Sequence, residues 1–325
     1  MELRKIQRTK TGTFFVCLPK DWAEKNGLDK GSVVAISETS NGRLIINPKH
    51  SAKRMLREIT IKPSPYLDRE ITGKYLLGYD IIRIESKERI MPEDREKVKR
   101  AASRLVGLEI VEENYSKIVL QCLLEPSSFP PEKLLRREYA IAASMHRDAV
   151  TAFVDDDKRL AKNVVARDDE VNRLYFLLVR ILRTVIQNPS LGEKLGIRPI
   201  DCLDYRIIGS LVESIGDQSA QLAQNVIEYK GVKPSKEYAE LIMRLHSIVY
   251  DSHETAIKSL SLHDISLAES VRNMKGKIED LRRKLQQKLT KDKIARYLFS
   301  TISHLTRIYE NSVDIADLVI PRLSA

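Results

Sequence analysis

The sequence predicts a multidomain α+β protein. A β-rich domain occupies residues 1–52, a small α+β domain follows at 55–128, and an all-α domain at 129–325 holds six helices in two three-helix repeats. Three observations carry this prediction. Strand-forming runs with turn signals crowd the first fifty residues. A βαβαββ pattern spans 57–127. Beyond Ser128 strand signals stop, and apolar residues recur at three- and four-residue spacing.

In the first domain Thr13–Leu18 and Val33–Ser37 are β-branched and aromatic, and Leu44–Ile46 follows Asn41-Gly42, a two-residue hairpin signal. Pro19–Gly27 between them reads as a short helix, with proline at its start and glycine at its stop. So small a unit cannot bury a core alone, and a homodimer is expected. In the second domain the expected order is strand Glu58–Lys62, helix Pro65–Leu77, strand Ile81–Glu85, helix Pro92–Val106, then a hairpin of Leu108–Glu112 and Lys117–Leu124 around Asn114. No motif there carries chemistry, so a connecting or dimerising role is expected.

In the third domain helices are expected at 131–154, 157–187, 200–230, 235–260, 264–288 and 292–319, with the prolines at their ends. A slide of 107 positions lays His146 on His253, Ala149 on Ala256, Asp157 on Asp264, Leu160-Ala161 on Leu267-Ala268 and Val164 on Val271. Two repeats, at 131–230 and 235–320, account for this.

The 325 residues are 42% hydrophobic and 31% charged, the balance of a chain that folds around real cores. Its net charge of +10 is uneven: residues 1–54 hold 11 Lys and Arg against 5 Asp and Glu. That bias points to an acidic polymer, DNA foremost, as partner of the N-terminus. Arg4, Lys5, Arg8, Lys10 and Lys20, interleaved with Thr9, Thr11 and Thr13, are the candidate phosphate contacts. Cys17, Cys122 and Cys202 suit neither a disulfide framework nor a zinc ribbon, which implies a reducing, cytoplasmic setting. No leader is evident, and the most apolar stretch, Leu174–Leu182, is short and broken by Arg180, so no membrane insertion is expected.

The third helix of each repeat carries two acids one turn apart, Glu213 with Asp217 and Glu310 with Asp314. That spacing sets both carboxylates on one face, about 5–6 Å apart at Cβ, where they repel unless a cation intervenes. Mg²⁺, Mn²⁺, Zn²⁺ or iron would suit such oxygens. Asp168 opens a weaker version on the middle helix, with Asn172 in place of the second acid. His146, His253 and His304 read as packed or capping residues rather than ligands. No Walker loop, dinucleotide fingerprint, Ser-His-Asp spacing or HExxH motif occurs, so no catalytic residue and no enzyme are expected.

Residues 4–48 resemble the AbrB/SpoVT (MazE-like) family through the Leu18-Pro19-Lys20 step, the helix containing Trp22, Gly27-Leu28-Asp29-Lys30-Gly31 before a strand, and the closing hairpin. The resemblance implies a swapped-hairpin dimer that binds DNA through basic strands and loops. Residues from about 131 onward resemble the PhoU family through the repeated three-helix unit and the Glu213–Asp217 segment, followed by Ala220, Asn225, Ile227 and Glu228. That resemblance implies regulation of phosphate uptake beside a phosphate ABC transporter ATPase and a sensor kinase. It also implies metal binding at Glu213, Asp217, Glu310 and Asp314 and in part at Asp168; Gln218 stands where the family often has histidine. The combined architecture is similar to archaeal phosphate uptake regulators. The expected function is a DNA-binding, transcription-linked regulator of phosphate homeostasis. The alternative is an adaptor for the transporter or kinase whose first domain only dimerises, and a metal-dependent hydrolase is a more distant third.

Overall fold

The β-branched and aromatic residues at the head of the chain pair as strands. The structure is a computed structural model, and it describes residues 2–38, 42–48, 56–229, 233–288 and 293–319. Two units divide the chain, Met1–Leu56 and Arg57–Ala325. In the first, β1 (Gln7–Arg8) and β2 (Phe14–Phe15) form an antiparallel hairpin, with Gln7 opposite Phe15 and Arg8 opposite Phe14. The strand expected over Thr13–Leu18 pairs along two residues only, because β1 offers two partners. The connecting loop is closed by Thr9 N–H donating to the Thr13 carbonyl at 2.9 Å and Thr13 N–H to Thr9 Oγ1 at 3.0 Å. Gly12 takes φ +96 there, which strains any L side chain. Helix α1 (Lys20–Lys25) follows Pro19 and stops before Gly27 at φ +66, the left-handed stop that glycine supplies. Strands β3 (Ala35–Glu38) and β4 (Leu44–Asn47) pair antiparallel; Asn41 of the hairpin signal lies outside the described residues. No described residue of this unit is buried, and Phe14, Phe15, Val16, Val33, Ile36 and Leu44 are exposed.

The second unit opens with β5 (Glu58–Ile61), α2 (Leu67–Leu76), β6 (Ile81–Glu85), α3 (Pro92–Arg104), β7 (Leu108–Glu113) and β8 (Lys117–Cys122). The sheet order is β5-β6-β8-β7. β5 and β6 are parallel, as a crossover through α2 requires, and the other pairs are antiparallel. Asn114 turns the β7–β8 hairpin by accepting from Ser116 N–H and Lys117 N–H. Leu67, Ile71 and Tyr75 of α2, with Val98 of α3, fill the core against Ile82, Ile84 and Leu120 of the sheet.

From Pro131 the chain is helical: α4 (Pro131–Asp155), α5 (Lys158–Gln187), α6 (Pro189–Leu195), α7 (Asp201–Glu228), α8 (Lys236–Leu262), α9 (Ile265–Arg272), α10 (Lys275–Lys288) and α11 (Lys293–Ala316). Six helices are expected; eight segments occur among the described residues. Pro189 begins the short α6, and the helix expected over 264–288 breaks at Asn273-Met274, where an asparagine that competes for backbone hydrogen bonds ends α9. The repeat extends to the caps. Asp156 and His263 are left-handed at φ +55 and +53, and Asp157 and Asp264 beside them accept backbone N–H groups to cap α5 and α9. α4, α5 and α7 pack on one another; α8 packs on α9, α10 and α11; α7 against α11 and α4 against α8 join the two sets. Across that seam counterparts touch. His146 Nδ1 lies 3.1 Å from His253 Nε2, and Asn311 Nδ2 donates to Ser214 Oγ at 2.9 Å. Equivalent residues that meet lie near the axis relating them.

Arg180, only 1% exposed, joins the helices to the sheet. It donates to the Tyr75 carbonyl at 2.6 Å, the Tyr79 carbonyl at 2.8 Å and Asp80 Oδ1 at 2.9 Å. Asp80 Oδ2 in turn accepts Arg57 N–H at 3.0 Å. Removing one member of such a pair leaves a buried charge uncompensated. Asp80→Ala is therefore expected to cost about 3–5 kcal/mol, read as a lower urea midpoint at unchanged m-value.

Candidate functional site

The acidic pair of the first repeat faces its own three-helix set. On α7, Arg206, Gly209, Glu213 and Asp217 follow one another at three- and four-residue steps and form a single stripe. Gly209 and Gly216 bring α7 close to α5: a Cβ at Gly209 would sit 2.7 Å from Leu178 Cδ2 and 3.7 Å from Glu138 Oε2, and one at Gly216 3.3 Å from Val171. The stripe thus closes on Asp168 of α5 and Glu138 of α4. Four carboxyl groups from three helices influence one another here.

Their electrostatics follow from that enclosure. Burial, then the charges of Asp217 and Asp169, pushes Asp168 up to about 6. Burial, then Asp217 and Asp168, pushes Glu213 up to about 7, against the pull of Arg206. Asp217 is raised by burial. Glu138, 0% exposed, is raised well above the carboxylate range by burial and by Glu213. Neither Glu138 oxygen has a hydrogen-bond partner, nor has Asp168 Oδ1; Asp168 Oδ2 accepts from Asn172 Nδ2 at 3.0 Å. Arg206 is the nearby cation, and it donates to the Tyr175 hydroxyl and lies over that ring at 4.7 Å. Oxygen donors with unfilled lone pairs suit a hard cation chemically. In this arrangement they do not converge, since among the described residues no three His, Cys, Asp or Glu side chains are placed to hold one metal ion.

The second pair meets different surroundings. Glu310 and Asp314 line a cleft of about 450 Å³ that also holds Arg272, Lys275, Arg282, Glu279 and Asp317. Arg272 pairs with Asp317 at 2.5 Å, Lys275 with Glu279 at 3.9 Å, and Glu310 with Arg307 at 3.1 Å. Identical spacing in the two repeats thus gives an under-neutralised cluster in one and a self-neutralised cleft in the other.

His146 and His253 are buried, as packed histidines would be. With His246 and Tyr139 they form a chain: His246 Nδ1 lies 3.2 Å from His146 Nε2, and the Tyr139 hydroxyl 2.8 Å from His253 Nδ1. Burial first, then neighbouring positive charge including Arg147, depresses all three. His304 Nδ1 lies 2.9 Å from Gln218 Oε1. In the first unit Arg4, Lys5, Arg8, Lys10 and Lys20 are all exposed. Arg8 sits over the Phe14 ring at 5.3 Å, Lys10 is in the β1–β2 loop, Arg4 pairs with Glu2 at 2.8 Å, and Lys20 pairs with Glu24 at 3.7 Å on α1. The Thr9 and Thr11 hydroxyls bond each other at 2.8 Å.

Sequence reasoning missed Glu138, although a signal exists. Glu138 occupies a place in the apolar stripe Leu134, Ala142, Met145 and Ala149 of α4, where an acid must be buried.

Two family models match the chain. The PhoU domain matches residues 135–226, and the model described as antidote-toxin recognition MazE, bacterial antitoxin, matches residues 7–54. The chain therefore carries an N-terminal MazE/AbrB-like domain and a C-terminal PhoU domain. Similar solved structures include PhoU from Pseudomonas aeruginosa, 20% identical over 58% of this chain and 93% of that one (TM-score 0.44). Another is the phosphate transport system regulatory protein PhoU from Streptococcus pneumoniae, 18% identical over 58% and 91% (TM-score 0.48). No curated protein sequence matches. No described helix is long and apolar enough to cross a membrane.

The raised carboxyl groups fix a pH dependence. The folded chain holds protons at Asp168 and Glu213 more tightly than the unfolded chain does, so their contribution to stability is present at low pH and is lost as pH rises from the ordinary carboxylate range through about 6 and 7. Asp168→Asn with Glu213→Gln is expected to flatten that decline between pH 4 and 7 in chelator-treated protein, read by urea midpoints. A decline as steep as the parent's would place its cause elsewhere.

Proposed function

We propose that this protein is a dimeric, cytoplasmic, DNA-binding regulator of phosphate homeostasis whose helical unit responds to a cation or a protein partner. The carrying observation is the presence on one chain of a MazE-like match at 7–54 and a PhoU match at 135–226. The PhoU match supports phosphate homeostasis as the process, with a phosphate transporter ATPase or a sensor kinase as the class of protein partner. The first unit supports the DNA-bound end. It exposes Arg4, Lys5, Arg8, Lys10 and Lys20, and its apolar side chains need a cover that a second copy would supply. Arg8 and Lys10, at the β1–β2 hairpin and its loop, are the proposed phosphate contacts.

A duplex carrying the protein's own upstream region tests this. Binding of the full chain should weaken steeply as salt rises, with a slope of about 0.9 per phosphate neutralised. Arg8→Glu with Lys10→Glu should weaken binding to every sequence and flatten that slope by roughly one for each phosphate left without its cation. A slope unchanged in the double variant overturns the phosphate contacts. A dimer that binds no duplex at any salt favours the adaptor reading, in which the first domain only dimerises.

The cation side of the proposal rests on Asp168, Glu213 and Asp217, beside the unpartnered Glu138. The cleft at Glu310 and Asp314 already holds Arg272, Lys275 and Arg282. A divalent cation among the first group would relieve carboxylate repulsion and stabilise the fold by mass action, by about 2.7 kcal/mol at a hundredfold excess over Kd, which raises the melting temperature. Asp217→Asn should abolish the cation-dependent rise and be neutral or stabilising in chelator, whereas Asp314→Asn should leave the rise in place. A loss of stability in Asp217→Asn that ignores the chelator overturns the cation.

A further inference from the structure

A groove in the second unit runs between two helices and is enclosed at one side by a third. Asp68, Arg69, Thr72, Gly73 and Leu76 form one face of α2; Arg100, Ala101 and Arg104 form one face of α3; Phe176 of α5 completes the wall. Its volume is about 550 Å³, within the range of small-ligand sites. From Asp68 to Leu76 the groove runs eight residues along α2, about 12 Å at 1.5 Å per residue.

The charge in this groove is unpaired. Arg69, Arg100 and Arg104 have neither a carboxylate nor a hydrogen-bond partner for their guanidinium groups among the described residues. Elsewhere in the same βαβαββ segment Arg83 of β6 pairs with Glu58 and Arg95 of α3 with Glu113. Arg100 and Arg104 are one turn apart, a spacing at which like charges repel. Arg69 lies in the first turn of α2, where the helix dipole opposes a cation. The one acid of the groove, Asp68, accepts Arg69 N–H at 2.9 Å. Three guanidinium groups therefore face one carboxylate, and an anion placed among them would remove the imbalance.

The floor of the groove is open, with small residues on both helices. Gly73 sits in the interior of α2 with φ in the ordinary helical range, so no turn requires glycine there. Glycine weakens a helix interior, yet a Cβ at this position would meet nothing within 4 Å. Ala101 opposite is also small. Leu76 and Phe176 give the groove an apolar wall, and the Thr72 hydroxyl gives it a polar group whose proton goes to the Asp68 carbonyl at 2.9 Å.

We infer that this groove binds a small phosphorylated organic molecule, its phosphate held by Arg69, Arg100 and Arg104 and its carbon skeleton set over Gly73 and Ala101 against Leu76 and Phe176. Forked guanidinium donors match phosphate oxygens in pairs, and the apolar wall adds area that inorganic phosphate cannot use. The short, concave shape suits a mononucleotide-sized ligand rather than a length of polymer. The site shares no residue with the acidic cluster or with the basic arm of the first unit.

Calorimetry and melting curves on the full chain at fixed ionic strength test it, with AMP, ATP, glucose 6-phosphate, inorganic phosphate and adenosine as probes. At least one organic phosphate should bind and raise the melting temperature by several degrees. Phosphate should bind more weakly than that compound, and adenosine should not bind. Arg100→Ala and Arg104→Ala should each weaken the binding about tenfold or more. Gly73→Leu keeps every charge but fills the groove, and it should abolish binding while folding as the parent does, with an unchanged circular dichroism spectrum. Undiminished binding in Gly73→Leu overturns the groove as the site, because only general electrostatic attraction would survive that change. Failure of all three organic phosphates to bind the parent overturns the proposal outright. So does a result in which the arginine variants weaken duplex DNA binding while no small anion binds, which would assign the face to nucleic acid.

Discussion

A guanidinium in the middle of the Leu174–Leu182 run cannot reach water when that run is buried, so it must be met inside. Arg180 is met by two carbonyls and a carboxylate, all drawn from the segment Tyr75–Asp80 that links α2 to β6. Gly78, at φ +83, makes the turn that brings the Tyr75 and Tyr79 carbonyls round to one guanidinium, and the Tyr75 ring lies 4.8 Å from its carbon. Desolvating the pair costs several kcal/mol, which only a complete set of hydrogen bonds offsets. The position of the sheet on α5 is thereby specified rather than merely tolerated: a slip of one residue would leave a buried cation with no acceptor. Phe176, one turn earlier on α5, joins the sheet core and walls the groove between α2 and α3.

The two acidic pairs make the complementary point that spacing does not determine environment. Glu213 and Asp217 lie on a helix held tight against α5 by Gly209 and Gly216, and they are half-buried beside other carboxyl groups. Glu310 and Asp314 lie on a helix whose neighbours, α9 and α10, supply arginine and lysine. The difference traces to the middle helix of each set. Asp168-Asp169-Glu170 on α5 is answered in the second set by Lys275-Gly276-Lys277 on α10. Divergence at those positions reverses the sign of the surroundings while the backbone repeat persists.

Much of the fold could be read from pattern alone. The βαβαββ order, the start of α4 at Pro131 and the repeated break where Asp157 matches Asp264 each rest on pattern: period, proline and the internal repeat. The break of α9 at Asn273 and the extra α6 were not legible, since a single asparagine and a Pro-Ser step compete only weakly with helix propensity, and packing decides. Of the site, the paired acids were legible from i, i+4 spacing. The participation of Glu138 was not, because it depends on which helix faces α7, although its place in an apolar stripe marks it as buried. Arg180 was visible as an interruption of an apolar run, yet its partner lies a hundred residues away, beyond any local rule.

α5 touches both remaining centres of charge, through Asp168 in the acidic cluster and through Phe176 in the wall of the arginine groove, and the helix runs unbroken from Lys158 to Gln187. Eight residues separate the two, about 12 Å along the axis. The Debye length at physiological ionic strength is about 8 Å, so direct attraction between an anion at the exposed arginines and the half-buried carboxylates is strongly attenuated. Local rearrangement is also a poor conductor, because Val171, Leu174 and Tyr175, which lie in the interval, are buried and close-packed. Any coupling must then be carried by displacement of α5 as a body, and Arg180 opposes that displacement through three short hydrogen bonds to the sheet. An occupant of the groove would act on α5 where it is held most firmly, and one at the acidic cluster where Gly209 and Gly216 let α7 press closest. The physical link between the sites is the docking of one helix, set by the buried ion pair at Arg180 and by two missing Cβ atoms, Gly209 against Leu178 and Gly216 against Val171.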